Sequence, residues 1–268
     1  MALTSGVRIV KSVSRRKVLG SIGLSAGAGL WLAFGRDPGS ATQAADKPAP
    51  VWSYTHLDPD AIADEAYRLF PDGGCMYGVF GSVITGLASK LGEPFRSFPL
   101  QMMRYGRGGV GGFGSLCGAV NGGAAAIGLL EPIKQHQVQL ITELLTWYET
   151  TALPAYVPKD SENFPPVSRS VSHSVLCHLS VHRWCEASDN EVESEPMKER
   201  CRRLTADVAV KTVELLNANL LGRSGFPGLA ADVKSCVSCH GRNDQADSFG
   251  TMRCHACHQL PKDHPDEQ

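Results

Sequence analysis

Two short runs near the C-terminal end concentrate the chemistry of this chain. Cys236-Val237-Ser238-Cys239-His240 and Cys254-His255-Ala256-Cys257-His258 share the spacing Cys-x-x-Cys-His. That spacing is the attachment pattern for a c-type haem: two thiols three residues apart reach two vinyl-derived edges of one porphyrin, and the next residue sets an imidazole under the iron. Two haems c are therefore expected, with Cys236, Cys239, Cys254 and Cys257 as attachment points and His240 and His258 as proximal ligands. The rival readings are a zinc site, because Cys-x2-Cys-x14-Cys-x2-Cys also approaches a four-thiolate spacing, and a thiol–disulfide module. A histidine directly after both pairs counts against them, since with about twenty residue types that is roughly a one-in-400 coincidence.

Five cysteines remain: Cys75, Cys117, Cys177, Cys185 and Cys201. Paired disulfides would leave one over, and buried inert thiols are a second reading. The third is a set of converging thiolates, whose soft sulfur suits iron or an iron–sulfur cluster. Their spacing leaves all three open. If each haem iron is six-coordinate, two further ligands are needed. His178 and His182, four residues apart, would share a helix face beside Cys177 and Cys185. His255 lies inside its own haem loop and points away from that iron, yet it is placed to serve a neighbouring one. His136 heads an apolar helix and His56 lies in an N-terminal arm; both complete the distal candidates.

The elements that must hold these groups begin with a leader. Ser14-Arg15-Arg16-Lys17-Val18-Leu19-Gly20 precedes an apolar Gly/Ala-rich stretch and small residues at 41–45. This reads as a twin-arginine export signal over 1–45, and hence a periplasmic protein; an uncleaved anchor is the alternative. Twin-arginine export carries folded proteins, whereas covalent haem is attached after export. The route therefore points to a further cofactor loaded beforehand. The 268 residues suit one domain plus leader and tail, and a net charge of −1 argues against nucleic-acid binding.

The body, 46–228, reads as all-α. Asp58-Pro59 starts a helix that Pro71-Asp72-Gly73-Gly74 ends, and a second runs from Cys75 to Leu91. Residues 108–130 carry no charge and are dense in glycine and alanine. Glycines, Ser115 and Asn121 weigh against a membrane span, so no stable span is expected in the mature chain, and the stretch reads as a buried helix whose small residues admit close approach. Gln135–Glu149 is apolar on two faces, and Ser194–Leu220 is the clearest helix, with Met197, Cys201, Leu204 and Val208 on one side. The segment 229–268 is short and polar, low in regular structure, and too small to fold without its haems.

With Gly73-Gly74-Cys75-Met76-Tyr77-Gly78, Cys117-Gly118-Ala119-Val120-Asn121-Gly122 and the later cysteines, the chain resembles the redox proteins named for a Cys, Gly-Cys-Ala-x-x-Gly, Cys, Cys pattern, although here the middle motif runs Cys-Gly-Ala. Together with Leu176-Cys177-His178, Trp184-Cys185, Cys201 and the two haem sequences, it more closely resembles the split-Soret cytochromes c over residues 50–258. That resemblance implies a mostly helical homodimer, two bis-histidine c-type haems per chain clustered at one end, and an iron–sulfur centre (2Fe-2S or similar) held by cysteines, for which all five thiols are candidates.

The expected function is that of a periplasmic dihaem electron carrier with an additional iron–sulfur centre. It would pass electrons between partner proteins such as other cytochromes or oxidoreductases, with no catalytic residues. A haem or iron–sulfur reductase is the alternative in the enzyme class.

Overall fold

The computed structural model describes residues 52–159, 166–225, 228–241, 250–256 and 258. The leader at 1–45, Cys257 and the tail residue His264 lie outside them. The described residues belong to one unit, Ala49–Gln268, and they are mostly helical.

Helix α1 runs Pro59–Leu91. Asp58 caps it, its carboxylate accepting from the Asp60 amide at 3.2 Å, with proline in the first turn. The expected break is present as a kink within one helix. Pro71 removes an amide donor, and Gly74 takes φ 82°, ψ −168°, so the second half starts at Cys75 in a new direction. Helix α2 is Gly118–Leu130, α3 Lys134–Thr150, α4 Cys177–Ser188 and α5 Glu195–Leu220. The Ser194 hydroxyl caps α5 by accepting from the Met197 amide at 3.4 Å. A two-residue antiparallel pair, β1 (Ala152–Leu153) with β2 (Ser170–Val171), is the sheet found among the described residues.

The long helices α1 and α5 pack along each other, and α2 lies against both and against α3. Val79, Phe80, Val83, Ile84 and Leu87 of α1 meet Leu204, Val208 and Val213 of α5 in a closed core. Each such side chain contributes roughly 1.5–3 kcal/mol by leaving water. The glycines of α2 let backbones touch: a Cβ on Gly118 would stand 2.4 Å from the Gly106 carbonyl, and one on Gly122 2.8 Å from that of Met76. The small-residue stretch is thus a helix-packing surface, as its composition suggests. It is shorter than expected, because residues 108–114 form a loop instead. Glycine there adopts left-handed angles (Gly108, Gly109, Gly111, Gly112 and Gly114, φ 60–84°) that a right-handed helix excludes. No helix among the described residues is long and apolar enough to cross a membrane.

The C-terminal segment holds more regular structure than expected. Helix α6, Ala231–His240, carries the first haem sequence on its last turns, and Cys254–Ala256 forms one 3-10 turn. Val233 is buried, and Arg253 donates to the Asp232 carboxylate at 2.7 Å, tying the two haem sequences together.

Candidate functional site

Four of the five body cysteines come together from four separate segments. Cys75 follows the α1 kink, Cys117 caps α2, Cys177 opens α4, and Cys201 sits in the second turn of α5. Two crossed backbone bonds hold the middle pair. The Cys117 amide donates to the Val175 carbonyl at 2.8 Å, and the Cys177 amide donates to that of Ser115 at 2.7 Å, around the Leu116–Leu176 bridge. Cys117 and Cys177 both lie at helix N-termini, where the positive end of the macrodipole favours anionic sulfur. A cleft of about 1010 Å³ opens onto Cys75, Cys177 and Cys201, with Phe70, Gly74 and Met197 among its walls.

Electrostatics show that the four thiols interact. Cys201 is held down to about 6, first by the thiol of Cys75, which shares a proton with it, and then by the Arg200 guanidinium. Cys75 is pushed well up by the same contact and by burial. Burial raises Cys117, and it raises Cys177 to about 12, with the neighbouring sulfurs adding to both. The environment thus favours the anionic form at Cys201 and the protonated form at Cys75, Cys117 and Cys177. Cys185 does not join them. It stands eight residues beyond Cys177 on α4, about 12 Å along the axis, is not among the cleft walls, and is raised by burial, with Cys201 as the sulfur that acts on it.

Arg200 is the residue that reading the sequence did not single out. Its side chain is 1% exposed, donates to the Ser180 hydroxyl at 2.9 Å and approaches the Cys201 sulfur at 3.8 Å. Ser180 in turn lies 2.7 Å from the Tyr148 hydroxyl, which reaches towards Cys117. Among the described residues no carboxylate pairs with Arg200, and its Nε has no hydrogen-bond partner. A buried cation is costly unless it is paired, and here the Cys201 sulfur, not a carboxylate, is the acidic group beside it. The signal in the sequence was an arginine one turn before Leu204, in register with the apolar stripe of α5. An iron–sulfur group fits these residues: four soft donors, two helix N-termini, and a cation with a spare donor. No three His, Cys, Asp or Glu side chains among the described residues stand at the spacing of a ready metal-ion site.

The residues expected to hold haem lie apart from the core. Cys236 and Cys254 are half-buried, while Cys239, His240 and His258 are exposed at the end of α6 and beyond it. The distal candidates are dispersed. His178 and His182 stack on the exposed face of α4, rings parallel within 1° and 6.1 Å apart, and His182 pairs with Glu186 at 3.3 Å. His136 on α3 faces Glu131 at 3.6 Å. His56 is exposed in the N-terminal arm, where its carbonyl accepts from Lys90 at 2.8 Å. His255 is exposed within the 3-10 turn of the second haem sequence.

A helical body gathering cysteines in this way is a redox-protein architecture. The family model described as "Putative redox-active protein (C_GCAxxG_C_C)" matches residues 80–215. That stretch contains Cys117, Cys177, Cys185 and Cys201 and starts five residues after Cys75. The chain is also 35% identical over 266 residues, 92% of its length and 95% of the relative's, to split-Soret cytochrome c of Desulfovibrio desulfuricans. A solved structure of split-Soret cytochrome c from D. desulfuricans ATCC 27774, described as holding a novel iron centre, superposes with a TM-score of 0.74. It shares 34% identity and covers 80% of this chain and 95% of its own. The chain belongs to the split-Soret cytochrome c family.

Proposed function

We propose that this chain is an exported, periplasmic c-type cytochrome that carries electrons and has no substrate of its own. Two haems c attach through Cys236/Cys239 and Cys254/Cys257, with His240 and His258 under the irons. A non-haem iron–sulfur centre, 2Fe-2S or similar, is held by Cys75, Cys117, Cys177 and Cys201. The observation that carries this reading is the convergence of those four thiols beside a buried arginine that no carboxylate pairs among the described residues. The related protein's description, naming a cytochrome c and an iron centre, supports it.

Within this reading the chain's own residues have definite tasks. Three thiols must lose their protons when iron enters, and Arg200 offsets the charge that results. The α1 kink and the crossed bonds at 115–117 and 175–177 fix the donors on rigid elements. Distal haem ligands come from His178, His182, His255, His136 or His56, and the chain acts as a homodimer handing electrons to other cytochromes or oxidoreductases. The cleft above the thiols favours one second reading, a reductase whose substrate reaches the iron–sulfur centre.

The test is to count haems by pyridine haemochrome and non-haem iron by electron paramagnetic resonance. Wild-type protein should give two low-spin haems and a non-haem signal. Cys75→Ser, Cys117→Ser, Cys177→Ser and Cys201→Ser should each lose that signal, and Cys185→Ser should keep it. A full non-haem signal in all five variants would overturn the cysteine assignment. Turnover of a small substrate at the centre would favour the reductase.

A further inference from the structure

The loop over the thiols presents a surface that the fold does not use. Met102, Tyr105, Val110 and Phe113 are 56, 52, 41 and 87% exposed, four large apolar side chains within twelve residues. An apolar patch of this kind on a folded protein marks a contact site. Arg104 and Arg107 are exposed within it and Arg96 is exposed six residues before Met102, and among the described residues none has a carboxylate partner. No aspartate or glutamate occurs between Glu93 and Glu131; Asp72 and Glu193, from other elements, line the cleft beside Arg104, Arg107 and Lys198, so cations are in excess there.

The backbone beneath is held in an unusual shape. Five consecutive residues, Gly108 to Gly112, have positive φ, and one of them is Val110 at 64°. A β-branched residue in that region is a true outlier, and such geometry persists where the surrounding structure enforces it. The amides of Gly111, Gly112, Gly114 and Ser115 bond back to the carbonyls of Tyr105, Arg107, Gly108 and Gly109 at 2.7–3.1 Å. The loop is therefore a fixed platform. Its inner face rests on the site: a Cβ on Gly109 would stand 2.7 Å from that of Cys177, and the His178 amide donates to the Gly114 carbonyl at 3.0 Å.

We propose that this loop is the docking surface for an acidic electron-carrier protein, which exchanges single electrons with the redox site behind Cys177. This inference rests on the electron-carrier reading above. A second copy of the chain is a poorer occupant. A two-fold contact sets the same patch against itself, so a face with cations in excess would meet another of the same sign. A small anion would use the guanidinium groups but not the four apolar side chains. A carrier with an acidic rim around an apolar cofactor edge matches both. In a productive encounter the reduced carrier is oxidised by one electron and this protein is reduced by one, with no bond formed or broken. Charge complementarity of this type speeds encounter and is screened by salt.

The test is stopped-flow reduction of the full holoprotein by a reduced acidic [2Fe-2S] ferredoxin as probe, at low and high salt, with a neutral small-molecule reductant as control. Sedimentation of every variant fixes its oligomeric state. Wild-type protein should lose at least about ten-fold in second-order rate from low to high salt. The double variant Arg96→Glu/Arg104→Glu should be slower by about ten- to a hundred-fold at low salt, with its salt dependence abolished or reversed. Phe113→Ser should slow the reaction several-fold at both salts. Rates with the neutral reductant should stay unchanged. Equal ferredoxin rates in wild type and variants would overturn the docking surface while leaving the electron-carrier reading intact. A dimer turned to monomer by Phe113→Ser would assign the face to a second copy and overturn the proposal. Failure of every reductant to deliver an electron would overturn both readings.

Discussion

Replacing Arg200 with methionine tests whether a buried cation organises the thiol cluster. The guanidinium stands 3.8 Å from the Cys201 sulfur and is almost fully enclosed. At that separation and an effective dielectric constant of about 20, its attraction for a thiolate is about 4 kcal/mol. Since one pH unit corresponds to about 1.4 kcal/mol, that is an upper bound of about three units. The Cys75 contact, the larger influence on Cys201, survives the substitution, so the expected rise from about 6 is roughly one to two units. The assay is alkylation of metal-free protein across pH, with the Cys201 peptide quantified by mass spectrometry. Arg200→Lys keeps the charge and should shift the midpoint less. Stability follows with a definite sign. A thiol whose folded value is depressed stabilises the fold above its unfolded value, near 8.5, and loses that contribution as pH falls towards 6. In Arg200→Met that contribution should be smaller, and its loss complete at a higher pH. An unchanged alkylation midpoint would show that Arg200 does not govern the charge of the cluster.

Three further outcomes follow from the packing. Gly118→Ala drives a methyl to 2.4 Å from the Gly106 carbonyl; because backbone must move, it should cost about 2–4 kcal/mol, read from the urea midpoint. Asp207, raised by burial to about 6 although the Ala155 and Tyr156 amides donate to it at 2.8 Å, favours the fold in its protonated state. Its contribution is complete below about pH 4 and lost as pH rises through about 6, so Asp207→Asn should flatten denaturation midpoints across that window by an amount of order 2–3 kcal/mol. Arg253→Ala cuts the 2.7 Å tie to Asp232; a half-exposed pair is worth about 1 kcal/mol at most, so global melting should barely move while proteolysis after α6 speeds up.

The two Cys-x-x-Cys-His runs can be read without a structure because haem attachment would depend only on neighbours in the chain: two thiols and an imidazole at fixed spacing. The same holds for the Asp58 and Ser194 caps, the break at Pro71–Gly74 and the apolar faces of α1, α3 and α5, which follow from local sterics and a 3.6-residue period. The loop at 108–114 was read as helix because uncharged Gly/Ala composition does not separate a buried helix from a run of left-handed glycines; hydrogen bonds back to residues 105–109 decide it.

Composition, spacing and caps thus determine by themselves an all-helical body, two Cys-x-x-Cys-His runs and five further cysteines. Only the tertiary structure decided which thiols belong together. Cys75 and Cys201 meet because α1 and α5 pack side by side, and Cys117 meets Cys177 because residues 115–117 pair with 175–177. Cys185, on the same helix as Cys177, is carried away by two turns of rise. The buried charge of Arg200 was equally invisible in the chain. A cation's cost depends on which carboxylates fold next to it, and α5 turns this one into a core that supplies sulfur instead.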